Sequence, residues 1–304
     1  MATNPEITKL YAGLSGISLL PETFELGEGV AISRSYAHFM APFLMAFSPA
    51  IPGKPHPAPW KAAKGGLHID ITAELFLPTD VRAAPLDRLN TIWWIVALLR
   101  LKRSSSIFVP VVSTERFSSI PAIQEEPELW PVEIYTRRLF LCGEEFPSVG
   151  TDELEWVRIH WPRAAELLSD ENFSVAFQAL DSCIWNSNPS LALVAVWGAL
   201  EKLFSASHQE LSFRVSANIA SFLEPAGRNR FKHFKYVKGL YDHRSKAAHG
   251  EQSVSTTALI ETYNIARSTL IKMIETHHVP SRAELEAILF GDCIIPENKD
   301  LPPQ

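Results

Sequence analysis

The sequence predicts an α+β protein, in which a mixed N-terminal half with an antiparallel sheet precedes an all-α helical bundle. Before residue 150, apolar and polar residues alternate in several segments, which is the period of half-buried strands. From about Thr151 onward, apolar residues recur instead at the 3.6-residue period of amphipathic helices. These patterns divide the chain into an α+β domain of unknown role at 1–150, a helical domain at 151–279 and a C-terminal tail at 280–304.

The first elements of the N-terminal half are a hairpin, a loop and a strand. Glu22–Ser35 contains glycines where a turn is needed and alternating apolar residues after it, which predicts the hairpin. Five prolines between residues 49 and 59 predict an exposed loop, because proline neither continues a helix nor pairs within a central strand. Leu67–Leu77 alternates strictly and predicts an antiparallel strand with one buried face.

The remaining elements follow from the same periodicities. Asp87–Lys102 is apolar nearly all round its middle, which predicts a helix packed on the sheet, and its Trp93 and Trp94 are interpreted as core residues. Ile107–Val112 and Val132–Leu141 are predicted strands. In the second half, six helices are predicted at Glu153–Leu168, Glu171–Ile184, Leu191–Ser205, Leu211–Leu223, Arg228–His249 and Ser253–His277.

Composition and charge exclude several classes of protein. The 304 residues are 46% hydrophobic and 20% charged, which is typical of a packed globular chain. Cys142, Cys183 and Cys293 are too few and too scattered for a disulfide framework, so reduced thiols in a cytoplasmic protein are expected. The N-terminus lacks the pattern of a signal peptide and no apolar run is long enough to span a membrane, so no membrane association is expected.

Common cofactor and metal motifs are absent from the sequence. It contains no phosphate loop, no dinucleotide fingerprint, no nucleophile elbow and no zinc-protease motif. The adjacent His277 and His278 would point about 100° apart on a helix, so they do not converge on a metal. We therefore expect neither a cofactor nor a metal site.

One segment differs in charge from the rest of the chain. Arg228–Lys246 contains seven basic residues and a single acidic one, whereas the whole chain carries a net charge of −6. Such a local concentration of positive charge suits a phosphate backbone, although a solvated helix face has the same composition. The segment contains an R-x4-H spacing at Arg244 and His249, and a second one at Arg228 and His233.

The flanking residues favour the first pair. Leu240-Tyr241-x-x-Arg244-Ser245-x-x-Ala248-His249-Gly250, preceded by Ala199–Phe204 and Leu211–Ser216, resembles the HEPN superfamily, in particular its ApeA-like branch, over about Ser190–His277. This resemblance implies a helical bundle that dimerises and cleaves RNA without a metal. It implies that Arg244 and His249 are the catalytic residues, in a toxin or an antiphage-defence effector.

The residue types fit that chemistry independently. Histidine transfers protons near neutral pH, and arginine stabilises charge that grows on phosphate oxygens. Five residues place Arg244 and His249 about 140° apart on a regular helix, so a bend, a long reach or a twofold-related partner must bring them together. Further contributors are predicted, with Ser245, Lys246 and Glu201 as supporting residues and Lys238, Lys235 and Arg228 as substrate-binding residues.

The alternative interpretation is a non-catalytic module that dimerises and binds RNA or a partner. In that case the Arg244 and His249 side chains cap carbonyls at the end of a helix or bind Glu201 or Glu251. The expected partners are RNA, a second copy of the chain bound through the helical domain as a homodimer, and a regulatory partner; the alternative interpretation leaves open whether the ligand is RNA or another partner.

Overall fold

The computed structural model describes residues 9–103, 107–134, 147–205, 210–248 and 256–292. Within them, a curled antiparallel sheet of six strands precedes a set of helices, which confirms the predicted α+β class. None of the helices in these ranges is both long and apolar enough to cross a membrane.

The sheet has the strand order β3-β4-β5-β1-β6-β7, and a separate pair joins β2 to β8. The strands are β1 (Leu10–Ser15), β2 (Ser18–Leu19), β3 (Thr23–Gly27), β4 (Val30–Ala46), β5 (Trp60–Leu77), β6 (Phe108–Ser113), β7 (Leu129–Pro131) and β8 (Ser148–Val149). The central strand β1 is nearly all buried, and its Ala12 lies opposite Leu75 on one side and Val112 on the other. The strands predicted at Leu67–Leu77 and Ile107–Val112 are confirmed as parts of β5 and β6.

The predicted hairpin at Glu22–Ser35 is confirmed by the pairing of β3 with β4. Its turn is left-handed at Gly27, Glu28 and Gly29, with φ of 88°, 53° and 76°. Glycine adopts this conformation without a steric cost, which explains why the turn lies there. Beyond the hairpin, β4 and β5 continue together, and the proline-rich stretch 47–59 forms the exposed loop that the sequence predicts.

The strand predicted at Val132–Leu141 is not found where the structure describes it. Residues 132–134 are not in a strand, and residues 135–141 lie outside the described ranges. The strand that pairs with β6 comes earlier, at Leu129–Pro131. Only three residues pair there, too few to show a strand period in the sequence.

One helix, α1 (Arg88–Arg103), packs on the sheet as predicted for Asp87–Lys102. It begins after Asp87, whose Oδ1 accepts a hydrogen bond from the Asn90 amide at 2.7 Å. Trp94 is fully buried and donates through Nε1 to the Trp161 carbonyl at 3.0 Å, whereas Trp93 is only partly buried and donates to Asp181. Both tryptophans therefore serve the packing between α1 and the helical half.

The six helices predicted in the second half are all present. They are α2 (Thr151–Ala164), α3 (Glu171–Ser182), α4 (Pro189–Phe204), α5 (Leu211–Leu223), α6 (Arg228–Ala248) and α7 (Thr256–Thr276), with short 3₁₀ turns after α2 and α3. Asp170 and Asn188 cap α3 and α4, because their side chains accept the first free backbone amides.

A helix also forms in the segment assigned to the C-terminal tail. α8 (Arg282–Phe290) begins at a reciprocal capping box between Ser281 and Glu284. Leu285 and Ile288 are buried, and α8 packs against α5. This part of the tail is therefore integral to the bundle, while residues 293–304 lie outside the described ranges.

The main buried core runs from the sheet into the helices, and a small second cluster of Ile71, Val111 and Phe117 lies on the sheet. Trp161 of α2 donates through Nε1 to the Leu26 carbonyl of β3 at 2.8 Å. Arg100 of α1 is 3% exposed and pairs with Asp181 of α3 and with Glu133, which follows β7. The predicted boundary near residue 150 lies at the start of α2, and the packing continues across it.

Candidate functional site

The basic segment Arg228–Lys246 is folded into one continuous helix, α6, which packs against α4 and α5. Val237, Leu240 and Tyr241 are buried and fix the rotation of the helix. At about 100° per residue, these three anchors share one side of α6, and the opposite side faces solvent.

Arg244 lies on the packed side of α6 and contacts Glu201 of α4. Its Nη2 donates to Glu201 Oε2 at 3.2 Å, and its Nε lies 3.1 Å from Oε1 in an ion pair without the alignment of a hydrogen bond. The guanidinium stands 5.7 Å from the Tyr241 ring centroid, at the distance of a cation–π contact. The side chain is 26% exposed, so one edge of the guanidinium remains accessible.

Tyr241 completes this arrangement. Its hydroxyl donates to Glu201 Oε1 at 2.7 Å, and its ring packs edge-on against Trp197. Burial, together with the hydrogen bond to Glu201 and the charge of that carboxylate, raises the pKa of Tyr241 to about 12. Tyr241 is therefore a permanent donor near neutral pH, and it holds the carboxylate that orients Arg244.

The solvent side of α6 carries most of its positive charge. We define the α6 face as the exposed residues Arg228, Phe231, Lys232, Lys235, Lys238 and Lys246. Lys235 Nζ lies 4.5 Å from the Phe231 ring centroid, and Phe231 stacks against Phe234 at 6.4 Å. Amines that contact phosphates, next to an exposed aromatic ring on which a base can stack, are the groups that bind single-stranded nucleic acid.

The structure therefore separates two groups of predicted site residues. Glu201 and Arg244 meet between α4 and α6, whereas the predicted substrate-binding residues Arg228, Lys235 and Lys238 lie on the α6 face. Because Arg244 and Lys246 are two residues apart, they point about 160° apart around the helix. Ligands on the α6 face reach Arg244 only around the end of the helix.

The other predicted site residues lie near the C-terminal end of α6. Ser245 is half-buried and Lys246 is exposed. His249 and Gly250 follow immediately after Ala248 and lie outside the described residues. The second R-x4-H pair lies at the opposite end of α6, where His233 Nδ1 is 3.4 Å from Glu224 Oε1.

The role of Tyr241 was missed from the sequence. The signal was present, because Tyr241 precedes Arg244 by three residues and so lies on the same side of the helix. Only the crossing of α4 and α6, however, shows that the two side chains share Glu201.

We searched the described part of the chain for side chains that could bind a metal ion together. No group of three or more His, Cys, Asp or Glu residues is arranged there to hold a metal ion. His277 contacts Glu166 and His278 contacts Glu284, so the adjacent histidines have separate partners.

Comparison of the chain with protein-family models, curated proteins and solved structures finds no match. Its function is therefore proposed from its own residues and from the resemblance noted over about Ser190–His277.

Proposed function

We propose that this chain is an endoribonuclease that needs no metal, with Arg244 and His249 as its catalytic residues. The observation that carries the proposal is the Glu201–Arg244 pair. Glu201 binds Arg244 through Nε and Nη2, and Nη1 has no hydrogen-bond partner among the described residues. This leaves an oriented, positively charged donor at the half-exposed end of α6, beside the point where His249 follows.

The α6 face supplies the means to hold an RNA strand. Its lysines neutralise phosphates, and Phe231 offers a surface for a base to stack on. In this proposal, the strand follows the α6 face toward Lys246 and turns at the end of the helix, where the reacting phosphate meets Arg244.

The reaction is a transesterification followed by release of the product strand. The 2′-hydroxyl attacks the adjacent phosphorus and gives its proton to a base, the P–O5′ bond breaks, and the 5′-oxygen takes a proton from an acid. His249 is the base or the acid, because imidazole exchanges protons near pH 7. Arg244 stabilises the charge on the non-bridging oxygens, and the products are a 2′,3′-cyclic phosphate and a 5′-hydroxyl.

A homodimer formed through the helical domain completes the proposal. Arg244 faces α4, and on a regular helix a residue five positions later would point about 140° away. In the proposed dimer, twofold symmetry places the ends of the two α6 helices side by side, so that Arg244 and His249 reach one phosphate. A cytoplasmic toxin or antiphage-defence effector, restrained by a regulatory partner or by the N-terminal domain, is the setting that the HEPN resemblance implies.

A second candidate function is RNA or partner binding without cleavage. The same Glu201 contact favours it, because a carboxylate within 3.2 Å offsets the positive charge that Arg244 offers to a phosphate. In this case the Glu201–Arg244 pair holds α4 against α6, and the α6 face alone binds the ligand.

Cleavage of a labelled RNA pool in EDTA distinguishes the two candidates. The wild type is compared with Arg244→Ala and His249→Ala, and His233→Ala serves as the control from the second R-x4-H pair. Loss of cleavage in the first two variants alone, with fold and dimer intact, supports the nuclease. Binding without cleavage by every variant supports the second candidate.

The path of the strand has its own test. Each of Lys235→Ala and Lys238→Ala is expected to reduce the slope of log affinity against log salt by roughly 0.7, the value for one contact to a single strand. Lys202→Ala on α4 is the control, because Lys202 pairs with Glu171 away from the α6 face. An unchanged slope in both α6 variants contradicts the proposed path.

A further inference from the structure

A long two-stranded arm projects from the sheet. We define the arm as residues 35–71, which comprise the distal parts of β4 and β5 and the loop between them. Every residue from 42 to 62 is exposed, so neither face of the distal arm is covered by the described residues. Large apolar side chains that are at least half exposed nevertheless concentrate there, namely Tyr36, Met40, Phe43, Leu44, Met45, Phe47, Ile51 and Trp60.

Such a surface is unusual for an isolated chain. Soluble proteins rarely expose large contiguous apolar patches unless these bind something. Each of these eight side chains leaves on the order of 100 Å² exposed, about half of the area that a large side chain buries. Five of them, Tyr36, Met40, Phe43, Leu44 and Met45, lie on β4 and together offer about 500 Å². Two copies would therefore bury about 1,000 Å², the lower bound for a specific interface.

The two edges of the arm differ in a way that indicates how it binds. Between Trp60 and Ile71, the outer edge of β5 carries Lys61 and Lys64, followed by Gly65 and Gly66 at positive φ. Lysines and glycine kinks are devices by which proteins protect a strand edge from pairing. The outer edge of β5 is therefore protected.

The outer edge of β4 has less protection, with one register shift at its start, between Arg34 and Ala37, and no lysine. Its pairing with β3 ends at Ser33, and from Ser35 to Ala46 no strand among the described residues pairs with that edge. This segment contains no Lys, Arg, Asp or Glu, and Pro42 removes only one backbone donor from it. An exposed, uncharged, apolar edge of this length is a template for another strand.

We propose that β4 of a second copy of this chain pairs with this edge, antiparallel, to form the strand order β5-β4-β4-β5 across a twofold axis. Antiparallel pairing of a strand with its own copy is isologous, and the uncharged segment places no like charges opposite each other. The lysines of both arms then lie on the outer strands, away from the interface. Met40 and Ala41, at the centre of the open edge, lie nearest the axis.

The exposed edge also argues against the other binding partners that an apolar, positively charged arm suggests. Inserted into a bilayer, the unpaired backbone groups of both edges would lose their hydrogen bonds to water, whereas a second strand satisfies those of β4. RNA would use aromatic and basic residues together, but the open edge of β4 contains no lysine or arginine, and its Met40, Leu44 and Met45 are aliphatic or thioether side chains.

The mass of the particle in solution tests the proposal directly. Met40→Lys combined with Leu44→Lys gives β4 the protection that β5 already has, and both positions are exposed, so the fold is retained. By light scattering or sedimentation, the double variant is expected to have half the mass of the wild type. Leu191→Lys on α4 is the control, because Leu191 is 60% exposed and Leu44 is 65% exposed.

Cross-linking tests the register independently. Cys142 and Cys293 are replaced by serine, and the remaining Cys183 is buried. A cysteine then introduced at position 40, 41 or 42 is expected to form an intermolecular disulfide at one or more of these positions, whereas Lys64→Cys on β5 is not. Equal masses of the wild type and the double lysine variant would refute the pairing. If the masses are equal, sedimentation of the wild type with anionic vesicles, or binding of RNA, that the double variant loses would instead assign the arm to that ligand.

Discussion

The Arg100 network gives the sharpest test of how the sheet and the helices are held together. Arg100 is 3% exposed and donates to Asp181 through Nε at 2.7 Å and Nη2 at 2.9 Å, and to Glu133 through Nη1 at 3.1 Å. Burial alone lowers the pKa of this guanidinium, but the two carboxylates outweigh burial, so its pKa is raised. Arg100 is therefore charged, and both carboxylates are needed to compensate the cost of burying that charge.

Asp181→Ala removes one of these partners and leaves the charge buried. Breaking a buried ion pair in this way costs about 3–5 kcal/mol. Because the Glu133 contact remains, we expect a cost at the lower end of this range. The substitution also removes the hydrogen bond that Asp181 accepts from Trp93 Nε1 at 2.9 Å. The free energy of unfolding is therefore expected to fall by about 3 kcal/mol.

Urea unfolding followed by circular dichroism and by tryptophan fluorescence measures this loss. Glu166→Ala is the matched control, because Glu166 pairs with His277 but is 63% exposed, and its loss is expected to cost less than about 1 kcal/mol. If Asp181→Ala costs no more than Glu166→Ala, the Arg100 network does not hold the sheet to the helices.

Three further predictions follow from buried or partly buried groups. Burial, with the charges of Lys102 and His277, lowers the pKa of His160 to about 4, so the stability that its neutral form contributes is complete above pH 6.5 and is lost as the pH falls toward 4. Between pH 7 and pH 4.5, the free energy of unfolding is expected to fall more for the wild type than for His160→Phe. Equal falls would contradict the burial of a neutral His160. Burial raises the pKa of Cys183 to about 12. In a variant with Cys142 and Cys293 replaced by serine, the Cys183 thiol is expected to resist a thiol reagent at pH 8 until urea unfolds the protein. Rapid labelling of the native chain would show that Cys183 is accessible. Because its pKa is about 12, Tyr241 is expected to ionise well above pH 10, and the absorbance difference between the wild type and Tyr241→Phe in a titration checks this; a transition at pH 10 would mean that Tyr241 is neither buried nor bound to Glu201.

The sequence predicted the helical half well because its signals are local. Leu211–Leu223 is predicted with the bounds that the structure gives, and Asn188 with Pro189 marks the start of α4. α8 was missed because a nine-residue helix shows too little period, although Ser281 and Glu284 form a capping box that the sequence contains.

The parts that could not be predicted depend on contacts between distant elements. β4 extends to Ala46 beyond any pattern in the sequence, because residues 42–46 are exposed on both faces and no buried side selects a period there. The separation of Arg244 from the α6 face follows from the packing of Val237, Leu240 and Tyr241 against neighbouring helices. The R-x4-H spacing alone carries no information about which side of α6 is buried.

The chemistry of the product ends tests the proposed function most directly. RNA incubated with the wild type in EDTA is expected to yield 2′,3′-cyclic phosphate and 5′-hydroxyl ends, and a substrate with 2′-deoxyribose at the cleaved position is expected to remain intact. Cleavage of that deoxy substrate, or cleavage by His249→Ala at the wild-type rate, would contradict the roles assigned to the 2′-hydroxyl and to His249.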